Sequence, residues 1–309
     1  MEMKTKLLAF LFGVLIISAS VARAETVSPA AVGWGNLVVP GLGASLRGLP
    51  ARGLLEASTE IGTFYGGTFY GKEGSFRIDG TVLVPDNADV FKPVVGGIMQ
   101  EFGLKLHMYN TFYNYQQASL DPGNAELEKE YEQPLYKGAW DDVLLAPFKW
   151  KNLEKPYVYL PIILGTGFVY LTYLGTPIAT RSHPSSNAED ALYGTSAAIS
   201  LPLGSSFGEE VLFRGFMQRE IRHYTHSVVA SIGAETLVFT LLHPPDLRPA
   251  AFAGGIYFGL ITNYFAGDLE PGIAAHFWTD FVNGVFVYFL FRQSEHKSVP
   301  LAANISVPF

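Results

Sequence analysis

Gly208-Glu209-Glu210-Val211-Leu212-Phe213-Arg214-Gly215 sets two adjacent carboxylates and an arginine inside a helical, otherwise apolar stretch. Ionisable side chains in such surroundings are costly and are kept mostly for function. Glu210 and Arg214 are four residues apart with the acid first, the favourable order for an ion pair on one helix face. Glu209 is turned from Glu210 by about 100°, so it is expected to be the carboxylate left free to act. Taken alone, the stretch also reads as a helix end at an interface, with both acids wetted and Arg214 on phosphate headgroups.

Five apolar runs surround or follow it, at 157–174, 192–203, 227–242, 250–266 and 272–291. Several approach the roughly 20 residues a helix needs to cross a bilayer. The fold class expected is therefore all-α, a polytopic membrane helical bundle with its active site in a membrane-embedded cavity. Composition agrees. Only 16% of the 309 residues are charged, against roughly 25% in soluble proteins. The 32 glycines suit close helix packing in lipid, and the 16 tyrosines suit its interfaces. The net charge of −7 includes no basic run able to follow a phosphate backbone, which argues against nucleic acid as a partner. The absence of cysteine excludes disulfides, thiolate metal sites and a cysteine nucleophile.

Residues 1–24 combine Lys4 and Lys6, an apolar run and Ala22-Arg23-Ala24, the pattern of a signal peptide, with an uncleaved first anchor helix as the alternative. Residues 25–118 form a glycine- and aromatic-rich, membrane-associated region with helices expected near 54–70 and 94–113. Glu56, Glu60, Glu101, Lys105 and His107 interrupt those helices, so burial against other helices or an interfacial position suits them better than lipid, and only a structural role is read there. Residues 119–155 are the most charged stretch and read as a solvated linker with a short helix. Residues 156–292 form the core and 293–309 a tail. Kinks are expected at Pro202 and Gly204. The lysines at 149, 151 and 155 and the arginines at 219 and 222 favour one shared, cytoplasmic side.

Two later apolar runs each carry a histidine. His243 closes Phe239-Thr240-Leu241-Leu242-His243 just before Pro244-Pro245, which places it at a helix C-terminus. A simple capping role fits it equally well. His276 and Asp280 are four apart and face the same way, an arrangement that orients an imidazole, binds a metal or merely makes a buried structural hydrogen bond. His223 and His226 read as surface residues. No Gly-x-Ser-x-Gly elbow is present, and Gly204-Ser205-Ser206 reads as a flexible lead-in to the carboxylate helix.

In order and spacing, Glu209-Glu210-x-x-x-Arg214, Phe239-x-x-x-His243 and His276-x-x-x-Asp280 resemble the three motifs of the CPBP family of membrane endopeptidases. That family includes eukaryotic CAAX prenyl endopeptidases and bacterial bacteriocin-processing and self-immunity proteins. The resemblance spans about residues 157–291. It implies that Glu209 and His243 activate a water and that His276 and Asp280 form the oxyanion side, with Glu210, Arg214 and Phe239 as structural support. Peptide hydrolysis needs such a division between a base and donors for developing charge. Asp280 stands where the family often has asparagine, so it donates a hydrogen bond only when protonated. As a carboxylate it orients His276 or binds metal.

The cofactor is either none or Zn2+, in the latter case through Glu209, His243 and His276. The function expected is hydrolysis of a membrane-associated peptide or protein. Partners are the lipid bilayer and that substrate, and the location is a membrane, the bacterial inner membrane given the signal-like N-terminus. Two other classes fit the same residues, a non-catalytic scaffold or immunity protein that retains the motifs and a transporter with a proton relay.

Overall fold

The computed structural model describes residues 27–72, 76–79, 82–85, 91–175, 201–245 and 247–293. The signal-like segment, most of the run at 192–203 and the tail lie outside them. Helix α1 (Pro29–Val38) starts on Ser28, whose Oγ accepts the Ala31 N–H, with proline in the first turn. Helix α2 (Leu42–Leu46) is short, and α3 (Pro50–Lys72) packs along α4 (Phe91–Ser119). Where these two cross, a Cβ on Gly67 would lie 2.4 Å from the Gly96 carbonyl oxygen, so the close approach requires glycine. Both helices extend beyond the expected 54–70 and 94–113.

Between them Phe76–Asp79 (β1) and Val82–Pro85 (β2) pair antiparallel, with Phe76 opposite Pro85 and Asp79 opposite Val82. This short hairpin is a local addition to the all-helical fold that was expected. Everything else regular among the described residues is helical.

Residues 119–155 carry three short helices, α5 (Ala125–Glu128), α6 (Trp140–Leu145) and α7 (Trp150–Leu153). Rather than lying in solvent, the stretch buries Tyr131, Gln133, Leu135, Tyr136, Val143 and Ala146. Its charges face outward or pair, while its apolar side chains join the core.

Helix α8 (Pro156–Gly175) packs on α13 (Glu270–Gln293). Helix α9 (Leu201–Glu209) runs without interruption through a π-helical segment, Glu210–Met217, into α10 (Gln218–Thr225). The irregularity thus falls on the charged motif, eight residues beyond the expected kink at Pro202. Such widened turns are rare and concentrate at functional sites. Helices α11 (Val228–Leu241) and α12 (Arg248–Tyr264) pack as a pair beside it.

The core combines both halves of the chain. Phe112 and Tyr115 of α4, Leu135 and Val143, Val211, Phe213 and Phe216 of the π segment, and Leu269 and Ile273 form one buried cluster. Around it the polarity is inverted. Glu210, Arg214, Gln218, Glu220 and Glu235 are fully buried, whereas Ile163, Leu164, Val229, Leu237, Leu241, Leu260 and Tyr264 are exposed. Among the described residues no helix is long and apolar enough to cross a membrane.

Candidate active site

The π segment carries Glu210 and Arg214 fully buried. Arg214 Nη1 donates to Glu210 Oε1 at 3.1 Å, the ion pair expected from their spacing. Arg214 also reaches Glu235 of α11, Nε to Oε1 3.2 Å, and donates from Nη2 to the Gly255 carbonyl of α12. One guanidinium therefore ties three helices together. Its planar fork serves several partners at once in a way an ammonium does not.

His276, on the second turn of α13, is buried between the two motif carboxylates. Its Nδ1 lies 2.8 Å from Glu210 Oε1, and its Nε2 lies 3.8 Å from Glu209 Oε2 and 3.4 Å from Asp280 Oδ2. Carboxylates on both sides of one ring call for a proton on each nitrogen. The Phe258 ring stacks on this imidazole with centroids 4.5 Å apart. The two adjacent glutamates, expected to point apart and act separately, thus converge on a single histidine.

Helix α11 ends at Leu241 and His243 follows, as the two prolines predict. Its Nδ1–H donates to the Phe239 carbonyl at 2.7 Å, which fixes the ring and leaves Nε2 as the acceptor. Phe239 is itself buried. Its ring lies 4.4 Å from the His243 ring, 6.4 Å from that of His276 and 4.6 Å from the Arg214 guanidinium carbon. It is the apolar wedge that spaces the two histidines and covers the cation. His243 lies within electrostatic range of Glu209.

Glu209 is not free in the sense its position along the helix suggested. Its Oε1 accepts from Lys105 Nζ of α4 and, at 3.0 Å, from Ser205 Oγ one turn earlier. Lys105 in turn pairs with Glu101 at 3.1 Å. Lys105, Glu101, Ser205 and Glu235 were all missed from sequence as parts of the site. The available signal was the i, i+4 pair Glu101 and Lys105 in an aromatic, apolar helix, read as burial without chemistry. Gly204 and Ser205, read as a flexible lead-in, belong to a regular helix.

The helix bearing His276 is anchored outside the site. Asp268 Oδ1 accepts the Glu270 N–H at the start of α13, and Glu270 pairs with Lys149 at 3.1 Å and Lys151 at 2.9 Å. Burial pushes the Asp268 carboxyl up from its ordinary value, while the hydrogen bond from Lys149 holds the exposed Asp142 carboxyl below its own.

Residues 192–282 match the family model of type II CAAX prenyl endopeptidases, Rce1-like. The segment that carries the three motifs is similar to the CPBP and CAAX protease family. The Rce1-like segment covers under a third of the 309 residues and contains Glu209, Glu210, Arg214, Phe239, His243, His276 and Asp280. No curated protein and no solved structure matches the chain. The family is one of membrane-associated proteases, so its substrates are peptides or proteins.

A resident zinc ion does not fit the Rce1-like site as it stands. Lys105 places an ammonium on Glu209, and Glu210 takes Nδ1 of His276. Among the described residues no group of three or more histidine, aspartate and glutamate side chains could hold a metal ion.

Proposed function

We propose that the protein is a membrane-embedded endopeptidase that cleaves a membrane-associated peptide or protein with water activated by Glu209 and His243. The observation that carries this reading is the complementary state of two groups. Oε2 of Glu209 is buried with no hydrogen-bond partner among the described residues, and His243 holds its Nδ1–H on Phe239 O with Nε2 open. A water between them would find two acceptors for its protons. Attack on a carbonyl carbon then leaves negative charge on the carbonyl oxygen. The Nε2–H of His276, whose contacts at 3.4 and 3.8 Å are loose beside the 2.8 Å bond at Nδ1, is the donor suited to receive it. The proton taken up by His243 passes to the departing amine, which restores the base. Glu210, Arg214 and Phe239 hold this arrangement in register.

Embedding in a bilayer is supported by the inverted polarity of the bundle. Val229 is 82% and Ile163 67% exposed while Arg214 is 0% exposed. Large exposed apolar surface around a charged interior suits lipid better than water. The signal-like residues 1–24 favour a bacterial cytoplasmic membrane.

The test is labelling of protein N-termini in membranes from cells that carry the native chain, Glu209→Gln or His243→Ala at matched abundance. Termini present with the native chain and missing from both variants are expected and would name the substrate. The same termini in all three strains would overturn the protease reading in favour of a scaffold.

A further inference from the structure

Lys105 lies on α4, far outside the matched segment, yet its Nζ is bonded to the carboxylate assigned to water activation. Three features show that this contact is built rather than incidental. Lys105, Glu101 and Glu209 are each less than 9% exposed, so the pairs are shielded from solvent and salt. The lysine stem runs along a flat face made by Gly204 and Gly208, one helical turn apart on α9. A Cβ on Gly208 would meet Lys105 Cδ at 2.9 Å and its Cβ at 3.0 Å. Lys105 Nζ and Ser205 Oγ both bind the same oxygen, Oε1.

We infer that Lys105 is a positioning residue of the active site, holding Glu209 by Oε1 so that Oε2 alone faces His276 and the water. This rests on the protease reading above. A carboxylate free to rotate would present either oxygen and sample unproductive angles. Pinned at one oxygen by an ammonium and a hydroxyl, it presents the other in one direction, the pre-organisation that catalysis requires. Glu101 has a separate part, because it keeps the ammonium paired and directed along α4. The site is thus completed by the N-terminal half of the chain, and the Rce1-like segment alone lacks one of the groups that aim its base.

The experiment uses the full-length protein in detergent and a peptide spanning a cleavage site found by the terminal labelling above. Lys105→Met alone leaves two buried carboxylates unpaired, so it is accompanied by Lys105→Met/Glu101→Gln, Lys105→Arg and Ser205→Ala. The Met variants are expected to lose at least about tenfold in kcat with KM within about twofold, as for an interaction made in the transition state. Lys105→Arg should recover part of that loss. Should the Met variants fail to accumulate, Ser205→Ala decides, because it removes the second Oε1 donor without unpairing a charge; kcat should fall about threefold at constant KM. Met variants with native kcat, an Arg variant no better than Met, or Ser205→Ala with native kcat where it decides, overturns the inference while the protease reading stands. Identical termini with native chain and Glu209→Gln remove both readings.

Discussion

Glu210 Oε1 and His276 Nδ1 stand 2.8 Å apart, so the carboxylate that pairs with Arg214 also orients the imidazole of the third motif. The two residues are 66 positions apart in sequence, and the contact joins the π segment to α13. Breaking a buried pair by removing one partner leaves an uncompensated charge and costs about 3–5 kcal/mol. Glu210→Ala should therefore destabilise the fold by an amount in that range, far more than Glu209→Gln. Denaturant titration of the two purified variants in one detergent compares them directly, and equal midpoints would contradict the structural role of Glu210.

Gly208 is the close-approach position for Lys105. Gly208→Ala inserts a methyl against the lysine Cα and Cβ as well as its mobile end, so α4 must move. Overpacking of this kind costs about 1–3 kcal/mol. The variant should fold with reduced stability and lose cleavage, whereas Gly233→Ala, with open space at its Cβ, should lose neither. Thermal melts and peptide turnover on the two variants check both halves of the expectation.

Asp280 sits 3.4 Å from His276 Nε2 and is about a third exposed. An amide in its place would keep a polar atom there, add a donor on the oxyanion side and release Nε2–H from one carboxylate. Asp280→Asn should retain cleavage within about threefold of native. A collapse of kcat to the level of Glu209→Gln would show that the negative charge is needed, and with it a role for Asp280 in keeping His276 protonated.

Burial lifts the Asp268 carboxyl above its ordinary 3.8, against the Glu270 N–H that it accepts. An acid whose folded value is raised binds its proton more tightly when folded. Its ionisation therefore subtracts from stability as pH rises from the unfolded value through the folded one. Asp268→Asn keeps the cap and removes that loss. The variant should match native stability near pH 3 and exceed it at pH 7, as read from melting temperature across that range. A variant less stable than native at pH 7 would mean that the charge itself anchors α13, through Lys149 or Lys151.

Spacing made part of this legible. The Glu210–Arg214 pair follows from four residues of one helix, and His243 at a helix end follows from Pro244 and Pro245. The apolar runs at 227–242, 250–266 and 272–291 correspond to the helices at 228–241, 248–264 and 270–293, while the helices expected at 54–70 and 94–113 run longer, over 50–72 and 91–119. The burial of 119–155 was hidden by its charges. Tyr131, Tyr136 and Val143 are spread too thinly among acids and lysines to show a period, and their partners lie on other helices. The hairpin at 76–85 is too short to carry an alternation that stands out.

The sequence by itself determined the Glu210–Arg214 and His276–Asp280 spacings and His243 at a helix end, which depend only on helix geometry, and the resemblance of the motifs in order and spacing to the CPBP family joined them with Glu209 into one set. Only the tertiary structure decided how the set is connected. That Glu210 rather than Asp280 makes the tight bond to His276, and that Lys105 reaches across from α4 to hold Glu209, are consequences of helix packing. Contacts 66 and 104 residues apart are fixed by which faces fit together, and the flat Gly204 and Gly208 face that admits the lysine acquires meaning only when α4 lies against it.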